Sequence, residues 1–241
     1  MCRLTPPGFT CTALVSALLL NFFSFVATAT SPETMFSGQD GSGSSMSSAI
    51  FGEQATIVAF GDSLTQGFVL PEAEAYPAQL ERKLRAEGFN YRVVNAGING
   101  ETSSGALSRV KWILRMKPDI VILETGANDG FRGIKPEVVE ENISEIIRIL
   151  KENDVTVVLA GMQMLSNLGA EYTAAFRDIY PRVAQRHGVI LVPFFLEGVA
   201  GEPSLNLPDG IHPTAEGHGI VAKNVWPHVV EAIGRKREAG K

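Results

Sequence analysis

Five short runs of apolar and β-branched residues recur between longer amphipathic stretches. They are Thr56 to Phe60, Tyr91 to Asn95, Asp119 to Glu124, Val155 to Ala160 and Val189 to Val192, each of strand length. Between them, apolar residues fall at three- and four-residue spacing, as in Val139, Ile143, Ile146, Ile147 and Leu150. This spacing predicts helices over Ala75 to Glu87, Ser103 to Met116, Pro136 to Asn153 and Tyr172 to His187, with a last one from Thr214 to about Arg235. Regular alternation of strand and helix predicts an α/β domain whose parallel sheet is covered on both faces through right-handed crossovers. There is no internal repeat.

Upstream of the first strand the pattern changes twice. Arg3 is the only charged residue of the first 29, Ala13 to Val26 is largely apolar, and Ala27-Thr28-Ala29 suits a small-residue cleavage site. This reads as a secretory signal over residues 1–29, giving a periplasmic or secreted protein. An uncleaved, membrane-retained segment is the alternative, although Ser16, Asn21, Ser24 and Thr28 dilute the apolar stretch. Residues 30–55 are rich in Ser and Gly, as in Gly41-Ser42-Gly43-Ser44-Ser45, and read as a flexible tether. Met35 and Met46 offer internal starts that would make the whole leader an artefact of the start site. Residues 56–241 then read as a single folded domain.

Composition adds mainly exclusions. At 241 residues, 45% hydrophobic and 20% charged, the chain is ordinary for a soluble protein with one sizeable core. A net charge of −5 provides no bulk attraction for nucleic acid, and the cluster Arg235-Lys236-Arg237 reads as the solvated end of a helix. Both cysteines, Cys2 and Cys11, lie in the leader, so the processed chain has no disulfide, thiol nucleophile or cysteine metal site. No stable protein partner is evident.

The candidate chemistry lies where the predicted strands end, the place where open parallel sheets bind ligands. Ser63 follows the first strand in Gly61-Asp62-Ser63-Leu64. Gly97 and Gly100 follow the second, and Asn128 follows the third in Gly126-Ala127-Asn128-Asp129. Asp209-Gly210-Ile211-His212-Pro213 precedes the last helix. A serine hydroxyl needs a neighbouring base, and the base an orienting group. Of four histidines, His212 alone combines a loop setting with an acid three residues earlier. Asp209 would orient that imidazole, or serve only as a turn carboxylate in Pro208-Asp209-Gly210. Asp62, next to Ser63, reads as a structural carboxylate bonded to nearby backbone. Oxyanion donors are available from the N–H groups of Ser63 and Gly100 and from the Asn128 side chain. The loop Gly161 to Gly169 supplies Met162, Met164, Leu165 and Leu168, which either line an acyl pocket or pack on the sheet.

Phe60-Gly61-Asp62-Ser63-Leu64, Gly100, Gly126-x-Asn128-Asp129 and Asp209-x-x-His212 resemble the four signature blocks of the SGNH hydrolases, also called GDSL esterases and lipases. VVNAGINGETS at 93–103, ETGANDGFRG at 124–133 and DGIHPTAEGH at 209–218 are similar to the bacterial arylesterases and acyl-CoA thioesterase I/lysophospholipases of that family. The resemblance covers nearly everything from Thr56 to the last helix. It implies a flavodoxin-like three-layer α/β/α fold with a parallel five-stranded sheet, and no metal or cofactor. It also implies Ser63 as nucleophile, His212 as base, Asp209 as its partner, and Ser63, Gly100 and Asn128 as the oxyanion hole. The expected substrate is a small-molecule acyl ester, thioester or lysophospholipid of short to medium chain. A carbohydrate O-acetylesterase and a non-catalytic acyl- or glycan-binding module are the alternatives.

Overall fold

The computed structural model describes residues 54–164 and 168–239. The expected signal segment and all but the last two residues of the expected tether lie outside the described residues, as does Leu165. Five parallel strands form one sheet: β1 (Ala55–Gly61), β2 (Tyr91–Gly97), β3 (Ile120–Glu124), β4 (Thr156–Ala160) and β5 (Ile190–Val192). Their spatial order is β2-β1-β3-β4-β5, the flavodoxin-like order. Every strand lies within one or two residues of the range its apolar run predicts. The central strands β1 and β3 are buried along almost their whole length, because helices cover both faces; edge strand β2 instead exposes Arg92 between buried Tyr91 and Val93.

Eight α-helices flank the sheet among the described residues: α1 (Ser63–Gln66), α2 (Tyr76–Ala86), α3 (Ser103–Leu114), α4 (Ala127–Phe131), α5 (Pro136–Lys151), α6 (Ala170–Arg177), α7 (Ile179–His187) and α8 (Ala215–Ala239). Helices α2 and α8 pack together over one face, while α3, α5 and α7 cover the other. The predicted stripe on α5 is the buried one, with Val139, Ile143, Ile146, Ile147 and Leu150 all withdrawn from solvent. The single helix expected over Tyr172 to His187 is instead two, α6 and α7, parted at Asp178. The apolar spacing runs through the break, since Phe176, Ile179, Tyr180 and Val183 all reach the core. No helix among the described residues is long and apolar enough to cross a membrane.

The strand order reverses between β1 and β3, which are neighbours in the sheet although β2 intervenes in sequence. Chains leaving the carboxyl ends of these two strands diverge, opening a crevice at that point. Ser63 begins the turn after β1, and Asn128 lies in the turn after β3.

Candidate active site

The turn after β1 is held by side chains below it. Asp62 caps α1, its Oδ1 accepting from the Leu64 N–H at 2.9 Å. Glu124, at the end of β3, accepts from the Asp62 N–H at 3.1 Å and from the Thr65 hydroxyl at 2.9 Å, both through Oε2. Arg109, on α3, ties the neighbouring strand ends together by donating to Gly61 O at 3.2 Å and Ala96 O at 2.8 Å while paired with Glu101. The turn after β3 starts at Gly126, whose φ of +111° suits glycine; a Cβ there would lie 2.5 Å from the Tyr180 hydroxyl. Asp129, fully buried, accepts from the N–H and hydroxyl of Ser103 and so fixes α4 to the start of α3.

The fourth segment is a closed loop. Leu207 N–H donates to His212 O at 2.7 Å, and Thr214 N–H to Leu205 O at 2.8 Å. Within it Asp209 does both things the sequence leaves open. Its Oδ1 accepts from the backbone N–H groups of Ile211 and His212 at 2.9 and 3.0 Å, as a turn carboxylate would. Its Oδ2 lies 2.8 Å from His212 Nδ1. The other ring nitrogen, Nε2, lies 2.9 Å from Ser63 Oγ. Phe68 stacks on the imidazole, with ring centroids 4.2 Å apart and planes at 26°. An imidazole bonded at one end to a carboxylate and at the other to a hydroxyl can take the hydroxyl proton, and the carboxylate fixes the tautomer that does so.

Beside Ser63 opens a cavity of about 220 Å³, lined on its apolar side by Phe131, Met162, Met164, Leu196 and Ile211. Asn128 also lines it, with Nδ2 2.9 Å from Asp62 Oδ2. Gly100 has φ +73°, and its carbonyl accepts from Arg132 at 3.0 Å. Of the loop residues expected to meet an acyl group, Met162 and Met164 face the cavity and are mostly buried. Leu168 does not line it; this side chain stands 37% exposed just before Gly169, which opens α6.

The profile of the GDSL-like Lipase/Acylhydrolase family matches residues 59–220. The chain belongs to this family. It is a serine hydrolase acting on ester or thioester bonds. It is 39% identical over 173 residues to esterase TesA of Pseudomonas aeruginosa, covering 71% of this chain and 86% of that protein. It is 35% identical over 168 residues to thioesterase 1/protease 1/lysophospholipase L1 of Escherichia coli K12, covering 69% and 79%. Among solved structures it is similar to AlinE4, an SGNH-hydrolase family esterase, at 42% identity and a TM-score of 0.64, covering 76% of this chain and 98% of the other.

The charges of this hydrolase site are set by its surroundings. Burial alone would raise the Asp209 carboxyl, but hydrogen bonds from the His212 backbone and ring and from the Ile211 N–H bring it down to about 2, so it is ionised at neutral pH. Burial pushes Asp62 up to about 6 against the hydrogen bonds it accepts. Glu124 is driven well above the usual carboxyl range by complete burial and by Asp62. His218, on α8, is lowered to about 4 by burial and by His212; its Nδ1 accepts the N–H of Tyr76 at the start of α2.

Sequence reasoning missed several residues of this hydrolase site. Phe68 and Leu196 leave no local signal, since both meet the site only through the tertiary fold. Glu124 did leave one, because a carboxylate closing the apolar run Ile120 to Leu123 must be buried with it.

Proposed function

We propose that this hydrolase cleaves short- to medium-chain acyl esters, thioesters or lysophospholipids through an acyl-enzyme on Ser63. The observation that carries the reading is the chain of contacts from Ser63 Oγ to His212 Nε2 at 2.9 Å and from His212 Nδ1 to Asp209 at 2.8 Å, set at the edge of an apolar cavity. His212 takes the Ser63 proton as Oγ bonds to the acyl carbon, and Asp209 stabilises the imidazolium that forms. The charge that develops on the acyl oxygen is met by the N–H groups of Ser63 and Gly100 and by Asn128 Nδ2. His212 then gives its proton to the departing alcohol or thiol, leaving the acyl group on Ser63. Water, deprotonated by His212, repeats the attack and releases the acid.

Met162, Met164 and Leu196 give the acyl chain a deformable apolar wall, as thioether side chains adapt to differing shapes. Neither tryptophan offers a sugar platform in the cavity: Trp226 packs on Phe89 with ring centroids 6.0 Å apart, and Trp112 is half exposed on α3. Acyl esters and thioesters are therefore preferred here over acetylated sugars. Residues 1–29 act as an export signal and 30–55 as a tether, with the domain over 56–241 working outside the cytoplasm; N-terminal sequencing of envelope material should begin near Thr30.

Turnover of 4-nitrophenyl esters of increasing acyl length, acyl-CoAs, lysophospholipids and acetylated xylan tests the substrate class. The reading requires higher kcat/KM on the acyl esters, thioesters or lysophospholipids than on the acetylated sugar. Faster deacetylation of xylan would replace it with the carbohydrate reading.

A further inference from the structure

The hydrogen bonds of His212 to Asp209 and Ser63 run from its ring nitrogens, so they fix the edge of the imidazole and leave its faces to packing. Phe68 covers one face, its ring centroid 4.2 Å from that of the imidazole and its plane tilted by 26°. The acid of this triad is an exposed one, with the Asp209 side chain 37% accessible. Water screens a carboxylate so placed, and Asp209 attracts the positive ring that forms during acyl transfer less than a buried carboxylate would. An aromatic face supplies attraction of another kind. It carries negative potential, and a cation within about 6 Å of its centroid is drawn to it.

The backbone around Phe68 is arranged to deliver this ring. The N–H groups of Gly67 and Phe68 both donate to Ser63 O, at 3.0 and 3.2 Å, so nucleophile and covering ring belong to one turn. Leu70 N–H closes that turn on Gly67 O at 2.9 Å. Between them Val69 has φ +56°, which β-branched residues rarely adopt, and it stands 74% exposed, so its own packing does not offset the strain. Among the described residues Phe68 is neither one of those packed on the hydrophobic core nor part of the acyl cavity wall. Core packing and acyl binding therefore leave the ring unexplained, and its contact with His212 remains.

We propose that Phe68 is a positioning residue of the base: its face keeps the imidazole aligned between Asp209 and Ser63 and favours the imidazolium present while the Ser63 proton is on Nε2. The inference rests on the reading of His212 as the base. The proton passes from Oγ to Nε2 as Oγ bonds to the acyl carbon, and leaves on the alcohol or thiol. Phe68 exchanges no atom with either.

The test measures kcat and KM on a 4-nitrophenyl ester together with thermal unfolding. Phe68→Leu keeps an apolar cover but loses the π face; it should lower kcat about 3- to 30-fold with KM within about twofold. Phe68→Tyr restores the face and should stay within about threefold of the wild type. Site-specific replacement of Phe68 by mono-, di- and trifluorinated phenylalanine keeps the ring shape while withdrawing electron density from its face. Turnover should then fall stepwise with each fluorine at constant unfolding temperature, a series that packing against a neutral imidazole does not produce. Level kcat across the fluorinated series would overturn the proposal, and that series decides alone if Phe68→Leu fails to fold. A folded Phe68→Leu enzyme with wild-type kcat would overturn it too, and a raised KM at unchanged kcat would make Phe68 a wall for substrate instead. In folded His212→Ala, Phe68→Leu should change the residual turnover by less than about twofold, because a residue acting through the base has nothing left to act on. Equal losses in both backgrounds would overturn the role of Phe68 while leaving His212 the base. Wild-type kcat in folded His212→Ala would remove the base reading and the proposal together.

Discussion

Gly97→Ala should damage this enzyme at its nucleophile, although Gly97 lines no part of the acyl cavity. A Cβ at this position would lie 2.2 Å from the Gln66 nitrogen, 2.6 Å from the Gln66 Cα and 2.7 Å from the Asp62 carbonyl oxygen. All three are backbone atoms of the turn that carries Ser63, so no side-chain rotation relieves them. Ordinary contact begins at 3.4 Å, which requires a displacement of about 1 Å. Strand β2 cannot supply it, because Gly97 is paired in register with Gly61 and the next N–H, of Ile98, bonds to Gly61 O at 2.9 Å. Helix α1 must move instead, and Ser63 is its first residue. Overpacking of this kind costs about 3 kcal/mol, and for a domain of this size lowers the unfolding temperature by about 6–12 °C. The same shift breaks the 2.9 Å contact between Ser63 and His212, and a 1 Å misplacement costs about 100-fold in turnover. Scanning calorimetry and 4-nitrophenyl ester kinetics on the purified variant measure both. Wild-type unfolding temperature and kcat in Gly97→Ala would refute the reasoning, since the close approach would then not exist.

Gly234 lies within α8 with open space where a Cβ would go, so Gly234→Ala should raise stability by about 0.5–1 kcal/mol without changing kcat; a loss of stability in chemical denaturation would contradict it. His218 is held at about 4 in the folded protein against 6.5 ordinarily, so the unfolded chain takes up the proton first and the contribution of His218, complete above pH 6.5, is lost as pH falls towards 4, by at most about 3 kcal/mol. Asp62 has the opposite sign: raised to about 6 from 3.8, it adds stability as pH falls between those values. His218→Gln should therefore make the unfolding temperature at pH 4.5, relative to pH 7, higher than in the wild type; an unchanged difference would show that His218 is not titrating against the fold.

The fold was legible because its strands are unmixed apolar runs. Buried on both faces, β1 and β3 have no polar alternation to confuse them with helices, and the crossover rules then leave few topologies. The short helices α1 and α4 were not legible, since four or five residues are too few to show a period. The break at Asp178 was hidden because α6 and α7 send Phe176 and Tyr180 to the same core. In the site, Asp209 and His212 lie three positions apart in a loop and could be read locally. Phe68 stacks on His212, and Leu196 lines the same cavity as Met162; each joins segments more than 30 residues apart, and nothing in the local sequence specifies such pairs. Asp62 was read as a backbone cap, which it is; its bond to Asn128 spans 66 residues and needed the fold.

The central claim is that Ser63 is the atom that receives the acyl group, activated by His212. Fluorophosphonate reagents phosphonylate an activated serine and stop at that step, so peptide mapping by mass spectrometry after stoichiometric labelling reads the claim directly. One adduct per chain on Ser63, formed in step with loss of esterase activity and much more slowly in folded His212→Ala, is the predicted result. An adduct on another serine that tracks the loss of activity, or full activity with Ser63 completely labelled, would contradict it.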